Sequence, residues 1–305
     1  MENTSPKLAP HTDFGDADLS FTDLSGLDLS HCNFSEATIF GVDFSGSNLK
    51  GSDFSYCDLS NCSFQSAEMD EVDLSHTQLG NTDFSESSLR CADLRFVKGD
   101  FTRNDVDEDL VMYPNFKPSA PNGGGYSFNG ADLHSANLSQ ASLNRGDFQN
   151  ANLEYTIFRD AELIEANFQH STLHYADFTN ACMPHAVIID SHGINAIFND
   201  CDLNHANIYD SELLNAQFLR SRLNGAKIYR VQLSGSDFRS AFCHYYEINL
   251  GHEDIYISAT EFNSCVITQS NFNWASVHGV NFENSNFHES SFIGCNKIES
   301  ERLEK

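Results

Sequence analysis

A large apolar residue recurs at every fifth position over most of this chain, and few folds accommodate such a period. From Phe14 to Leu94 the recurrence continues through seventeen units without a miss. A second run extends from Phe128 to Ile248, with Gly193 and Cys243 as its weak members, and a third run, offset by one residue, covers Ile257 to Phe292. Neither the 3.6-residue period of an α-helix nor the two-residue period of a strand explains this pattern.

Within each unit the residues alternate between two environments, which indicates a short extended segment. Two positions before the apolar centre lies a small or compact residue, such as Ala17, Cys32 or Val72, and the residue between them is often Asp or Asn, as at Asp18 and Asn33. Successive side chains of an extended chain point to opposite sides. We therefore predict that the centre and the small residue face inward, that the Asp or Asn faces outward, and that a turn follows.

Phenylalanine has a longer period than the apolar centres as a group. Phe centres recur at intervals of twenty residues in two series displaced by ten, and Leu, Ile or Met occupies most of the centres between them; the series begin with Phe14, Phe34 and Phe54 and with Phe44, Phe64 and Phe84. Four units per coil explain this spacing, because two opposite sides of a narrow square core then carry Phe stacks. At about 4.8 Å per coil, about twelve coils form a rod roughly 60 Å long.

The order small residue, Asp or Asn, then Leu, as in Ala131-Asp132-Leu133, resembles the register of the pentapeptide-repeat proteins. The resemblance covers roughly residues 12–94 and 126–297. It implies an all-β fold, a right-handed parallel quadrilateral β-helix, which we expect to be a solenoid of about twelve coils with one loop excursion.

The interruptions of the repeat divide the chain. We predict an N-terminal cap or tail, a first β-helix segment, a loop excursion or degraded coil, a second β-helix segment with a one-residue register slip near 249–257, and a C-terminal cap, over residues 1–11, 12–95, 96–127, 128–297 and 298–305. Residues 114–125 are rich in Pro and Gly, which favours a loop. The excursion is either functional or a tolerated insertion.

The charge of the chain restricts its partners. It carries 44 acidic residues against 17 Lys and Arg, a net charge of −27. Direct binding to nucleic acid or to an anionic membrane requires clustered Lys and Arg, so we expect neither. No stretch approaches about 18 consecutive apolar residues, and the first ten residues contain no apolar run typical of a secretory signal. We expect a cytoplasmic protein whose partner presents a basic protein surface.

The residue types of catalytic and metal sites do not converge in this sequence. Six of the nine cysteines take the small inward position, where they act as compact fillers: Cys32, Cys57, Cys62, Cys201, Cys265 and Cys295. The sequence contains no Cys-x-x-Cys. Asp105, Asp107 and Asp109 begin like a calcium-binding loop, but Leu110 stands where that loop requires Gly. We expect no enzymatic activity, no metal and no cofactor.

Acidic residues concentrate toward the N-terminus. Residues 1–89 contain 16 acidic and 2 basic residues. The twenty-residue period places Asp53, Asp73 and Asp93 in one outward row and Asp43 and Asp83 on the opposite face. Like charges one strand apart repel each other, so their presence suggests a use. These five are candidate partner-binding residues, together with Asp105, Asp107, Asp109 and Tyr113 in the excursion.

Two hypotheses for function remain open. Some members of the family are thought to protect type II topoisomerases by occupying the DNA-binding saddle of gyrase. The resemblance therefore implies a DNA mimic that binds DNA gyrase or topoisomerase IV and gives drug or toxin resistance. The alternative is a generic protein-interaction scaffold, or a secreted bacterial effector, with another partner. Its candidate secondary surface is the basic group Arg220, Arg222, Lys227 and Arg230. The oligomeric state stays open.

Overall fold

The fold is a right-handed parallel β-helix, as predicted. A computed structural model describes residues 8–99, 126–243, 247–249, 254–256, 260–277 and 279–295. Residues one coil apart lie side by side as parallel rungs, from the pair Asp13 and Asn33 to the pair Asn271 and Ser291. None of the described residues lies in an α-helix.

The rungs form four ladders, one on each face of the rod. In chain order, face I extends from Asp13 to Ser291, face II from Asp18 to Ser276, face III from Asp23 to Asn281 and face IV from Asp28 to Asn286. Faces I and III are opposite each other, as are faces II and IV. We name the corner between two faces by both numerals, so that edge II/III consists of the two residues that follow each apolar centre of face II.

Six short strands stand out from the ladders. They are β1 (Val187–Ile189), β2 (Asn207–Tyr209), β3 (Lys227–Tyr229), β4 (Glu247–Asn249), β5 (Asp254–Tyr256) and β6 (Glu261–Asn263). Strands β1, β2, β3 and β6 pair in this order as a parallel sheet on face III. Strands β4 and β5 pair with each other in antiparallel fashion.

The unit 53–57 shows why the sequence repeats every five residues. Asp53 N and Phe54 N donate to carbonyls of the coils before and after, at 3.0 and 2.8 Å, and Tyr56 N donates to Ser75 O at 3.1 Å. Cys57 N closes a turn onto Phe54 O at 3.1 Å. The remaining amide, Ser55 N, donates to Oδ1 of Asp53 at 2.8 Å. Every backbone N–H of the unit is thereby satisfied, and the outward Asp or Asn supplies the one acceptor that the backbone lacks.

The core consists of the predicted stacks. Phe34 and Phe54 stack with ring centroids 4.5 Å apart on face I, and Phe44 and Phe64 stack at 5.0 Å on face III. Rings of the two stacks meet edge to face across the core, as Phe44 and Phe54 do at 5.5 Å. Among the described residues the core is continuous from Phe14 to Val277, with side chains that are almost fully buried.

The coils before and after the first interruption stack directly on each other. Phe84 N donates to Ser127 O at 2.8 Å, and the rings of Phe84 and Phe128 stack at 5.0 Å. The regular coil continues past the predicted boundary at 96, because Val97 is fully buried and Lys98 forms a rung with Ser142. It resumes with Tyr126, which is 2% exposed, rather than at 128. The segment between the two regular coils is therefore shorter at both ends than the predicted range 96–127. Its residues 100–125 lie outside the described part of the chain.

The second interruption differs from the prediction. The repeat frame treats Ile248 as an inward centre and requires a slip of one residue near 249–257. Instead, the coil that ends at Cys243 continues at Thr260, whose N donates to Cys243 O at 3.3 Å. Ile248 belongs to β4, which pairs with β5 and not with a neighbouring coil. Phe262, the next inward centre of face III, follows Cys243 by nineteen residues, so the third run does have a one-residue offset. The offset coincides with an antiparallel strand pair inserted between two coils.

Both interruptions fall at the same corner of the rod. Lys98 and Phe242, which precede them, are rungs of face II, whereas Ser127 and Glu261, which follow them, are rungs of face III. Six steps of the face II ladder separate Lys98 from Phe242, or roughly 29 Å at about 4.8 Å per step. Edge II/III is therefore the corner of the rod where both interruptions occur.

Candidate protein-binding surface

The structure brings the first predicted row together. Asp53 pairs with Asp73, and Asp73 with Asp93, as consecutive rungs of face I. Asp43 and Asp83 lie on face III, where Ser63 stands between them. The carboxylates of face I thus form an unbroken column, while those of face III are two rungs apart.

Each carboxylate of the column also has a local structural role. Oδ1 of Asp53 and of Asp73 accepts the backbone N–H two residues later, at 2.8 Å in both cases. Asn fulfils the same role elsewhere, as Asn33 does for Ser35 N at 3.0 Å. The repulsion within the column is therefore partly offset by turn formation, so charge repulsion alone does not indicate a function for these residues.

Asp93 differs from the other two members of the column. Nε of Arg95 lies 2.8 Å from Oδ1, and an Nη of Arg95 lies 2.5 Å from Oδ2. Partial burial opposes ionisation of Asp93, but the hydrogen bonds and the charge of Arg95 outweigh it and lower the pKa of the carboxyl. Asp53 and Asp73 therefore have no ion pair among the described residues. The charge of the third carboxylate, Asp93, is compensated by Arg95.

The two parts of the rod differ in charge compensation. Residues 8–99 contain sixteen acidic and four basic residues, a net charge of −12 over five coils, whereas residues 126–243 contain thirteen acidic and seven basic residues, a net charge of −6 over six coils. In the later coils arginines repeatedly pair with carboxylates one coil away, for example Arg145 with Glu165 and Arg220 with Asp200. The N-terminal coils therefore carry most of the uncompensated negative charge of the described residues.

The predicted secondary surface is not one basic patch. Arg220 lies on edge I/II, Arg222 on face II, Lys227 on face III and Arg230 on edge III/IV. The three arginines form ion pairs with the aspartates twenty residues earlier, Asp200, Asp202 and Asp210. Arg239, on the same edge as Arg220, pairs with Asp237. These side chains therefore compensate the negative charge of the coils that carry them.

The remaining predicted positions have different outcomes. Asp105, Asp107, Asp109 and Tyr113 lie outside the described residues. Five of the six cysteines predicted to face inward are buried, and Cys295 is partly buried. Burial raises the pKa of Cys57 to about 12 and that of Cys62 to about 11.

The described part of the chain shows no cluster of His, Cys, Asp or Glu that could hold a metal ion. Nor does a membrane-spanning helix occur within that part.

The twenty-residue interval predicts an outward aromatic pair, Tyr155 and Tyr175, which stack at 4.8 Å, but the exposed aromatic columns of the N-terminal coils were not among the predictions. Tyr56, His76 and Phe96 lie one above another on edge I/II, with ring centroids 4.7 and 4.6 Å apart. Phe21 and Phe40 meet edge to face at 5.5 Å on edge II/III. The signal of the first column is a ring two residues after a centre that recurs after twenty residues, whereas Phe21 and Phe40 are nineteen residues apart. It is visible in the sequence once the coil length is known.

Replacing Asp73 with Asn is expected to raise the free energy of unfolding by about 0.2–1 kcal/mol at low salt, because Asp73 has an aspartate on either side and Asn preserves the turn. Asp58→Asn is the matched control, since Asp58 pairs with Gln78, and should be close to neutral. Urea denaturation at two salt concentrations measures both. A stabilisation of Asp73→Asn that persisted at 1 M salt would contradict the electrostatic explanation.

Comparisons with known proteins agree with the geometry. Two pentapeptide-repeat profiles match the chain, one over residues 12–51, 127–150, 147–183, 201–239 and 261–296 and the other over residues 44–88. A search of curated proteins gives no match.

The similar solved structures include a pentapeptide-repeat protein, HetL, and a fluoroquinolone resistance protein, QnrB1. HetL, involved in heterocyst differentiation regulation in the cyanobacterium Nostoc sp. strain PCC 7120, is 18% identical, with 90% of this chain and 87% of that chain covered and a TM-score of 0.29. The plasmid-mediated fluoroquinolone resistance protein QnrB1 is 15% identical, with 88% and 92% covered and a TM-score of 0.20. Scores this low carry no functional argument. Because the first profile alone matches more than half of its residues, this chain belongs to the pentapeptide-repeat family.

Proposed function

We propose that this chain is a non-enzymatic binding protein whose N-terminal coils occupy the DNA-binding surface of a type II topoisomerase in the cytoplasm. The observation that carries the proposal is the charge density of residues 8–99. Five coils at about 4.8 Å per coil span roughly 24 Å, so a net charge of −12 corresponds to about one charge per 2 Å of axis. B-form DNA carries about one charge per 1.7 Å.

The arrangement of the carboxylates supports the same function. Asp53 and Asp73 on face I, and Asp43 and Asp83 on face III, place negative charge on opposite sides of one rod. None of these four belongs to an ion pair within the described part of the chain. A rigid rod holds its charges in place before binding, so little ordering cost is added when a basic surface approaches.

The test is supercoiling by purified gyrase, with and without a quinolone, titrated with the protein. We expect inhibition or protection by the wild type and an effective concentration about tenfold higher for Asp53→Asn/Asp73→Asn, since the variant loses two charges and keeps both turns. Binding should weaken steeply as salt rises. The control is Asp147→Asn/Asp160→Asn, which also removes two charges, but from the later coils. Neither Asp147 nor Asp160 belongs to an ion pair among the described residues.

The outcomes separate this function from the alternative. A wild type that neither inhibits nor protects, and that binds gyrase without salt dependence, contradicts the topoisomerase proposal. The chain would then act as an interaction scaffold or effector for another basic partner. The paired arginines Arg220, Arg222 and Arg230 do not favour the later coils as the place of contact, because their charges are already compensated.

A further inference from the structure

The aromatic column of edge I/II occupies backbone positions that bulky residues rarely take. Tyr56, His76 and Phe96 have φ angles of 64°, 62° and 62°, in the left-handed region. Gly, Asn and Asp adopt this region most readily, and a bulky side chain there is an outlier. Other units carry Asn, Asp, Glu, Arg or His at the same position, so the turn tolerates these rings but does not require them. Stacking offsets part of the conformational cost, but it leaves the outermost ring largely in solvent.

Tyr56 is this outermost ring. One of its faces stacks on His76 at 4.7 Å with an interplanar angle of 3°, and the side chain is still 65% exposed. The residue in the same position one coil earlier is Glu36, which is exposed and is not aromatic. The column therefore ends in an aromatic ring next to a carboxylate.

Further negative charge lies beside the column. Asp53 belongs to the same five-residue unit as Tyr56, and Asp73 follows it on face I. Neither these two nor Glu36 takes part in an ion pair among the described residues. The surface thus combines an exposed ring with three carboxylates, two on neighbouring rungs of face I and one in the turn one coil earlier.

We infer that this surface, formed by Glu36, Asp53, Tyr56, Asp73 and His76, anchors an arginine-rich segment of a protein partner. A guanidinium is planar and weakly hydrated, so it stacks on an aromatic face and donates hydrogen bonds to a carboxylate at the same time. The compact, strongly hydrated ammonium of lysine is the poorer fit. The inference rests on the proposed function to the extent that the N-terminal coils bind a basic surface, and it adds the side-chain chemistry of the partner.

The test compares nona-arginine with nona-lysine by isothermal titration calorimetry on the full chain. The two peptides carry equal charge, so charge attraction alone predicts similar affinities. We expect the wild type to bind nona-arginine about three- to tenfold more tightly. Tyr56→Asn should reduce the ratio to about one, and Asn tolerates the left-handed backbone of this position, so the fold is retained.

A matched control exists in the later coils. Tyr155 has a φ of 59°, is 47% exposed and stacks on Tyr175 at 4.8 Å, but it lies outside the strongly acidic part of the rod. Tyr155→Asn should leave the preference for arginine unchanged. Asp53→Asn/Asp73→Asn should weaken the binding of both peptides, while nona-arginine still binds more tightly than nona-lysine.

The remaining outcomes separate this inference from the topoisomerase proposal. Equal affinities for the two peptides, or a preference that survives Tyr56→Asn, would overturn the aromatic anchor whatever the gyrase assay shows. A retained preference for arginine with no effect on gyrase would support the anchor and reject the topoisomerase. Self-association of the wild type in analytical ultracentrifugation that Tyr56→Asn abolished would assign the surface to a second copy and overturn the inference.

Discussion

Replacing Phe168 with alanine is expected to lower the free energy of unfolding by about 3–5 kcal/mol. Phe168 is fully buried on face III, where its ring stacks on Phe148 at 5.1 Å. It also meets Phe158 and Phe178 edge to face, at 6.1 and 5.5 Å. The stacked coils above and below hold the backbone in place, so the cavity left by the ring has little opportunity to collapse. Urea denaturation followed by circular dichroism measures the change.

The control for this prediction is Phe21→Ala. Phe21 is 76% exposed and contacts Phe40 at the surface, so its loss should cost well under 1 kcal/mol. Because each coil contacts only its neighbours, Phe168→Ala should also broaden the transition as the two sides of the rod become less strongly coupled. Equal destabilisation by the two substitutions would show that the inward and outward positions are assigned wrongly.

The coil could be predicted from the sequence because its physical cause is local and repeats. A fully buried centre, a small inward neighbour and an outward acceptor for one amide are needed in every unit, so the pattern recurs every five residues. The interval of twenty between Phe34 and Phe54 then shows the length of the coil, since rings stack only when they return to the same face. Both inferences are confirmed by the stacks of faces I and III.

The interruptions could not be predicted in the same way, because a count in steps of five does not reveal which chain segments are neighbours. Ile248 continues the spacing of the second run, although it belongs to the antiparallel pair β4–β5. Likewise, a sequence break does not show that Phe84 stacks on Phe128 or Phe238 on Phe272. Only the pairing of coils shows that both interruptions lie on edge II/III.

The candidate surface was predictable in part. The twenty-residue interval correctly placed Asp53, Asp73 and Asp93 in one column. Applied to opposite charges, the same interval would also have revealed the ion pairs of Arg220 with Asp200 and of Arg230 with Asp210. The neutralisation of Asp93 by Arg95 could not be anticipated from coil length, since it depends on the rotamer of an arginine within the same unit.

The protein is expected to lose stability on mild acidification because of one partly buried imidazole. His205 lies on edge II/III and stacks on His185, with ring centroids 5.1 Å apart. Burial is the main cause that lowers the pKa of His205 to about 4, and the neighbouring His185 and Lys227 lower it further, whereas Asp202 acts in the opposite direction. The folded protein therefore holds this side chain neutral at pH values where an unfolded chain protonates it.

The sign and the pH window follow from the two pKa values. Above about pH 6.5, the usual pKa of histidine, both states hold His205 neutral and the residue makes no pH-dependent contribution. Between about pH 6.5 and pH 4 the unfolded state binds a proton that the folded state does not, so stability falls as the pH falls. Because solvent reaches part of the ring and screens its charge, we expect the free energy of unfolding to fall by about 1–3 kcal/mol over this range.

His205→Asn isolates this contribution, because Asn accepts the φ of 59° at this position and does not titrate in this range. We expect the free energy of unfolding of the variant, relative to the wild type, to rise by about 1–3 kcal/mol between pH 7.5 and pH 4.5. Other titrating groups are common to both proteins and cancel in the difference. His185→Asn should give a smaller change in the same direction, since it removes one of the groups that lower the pKa of His205. If the difference in free energy of unfolding between His205→Asn and the wild type stays constant over this range, the pKa of His205 is not lowered in the folded protein, and the prediction is wrong.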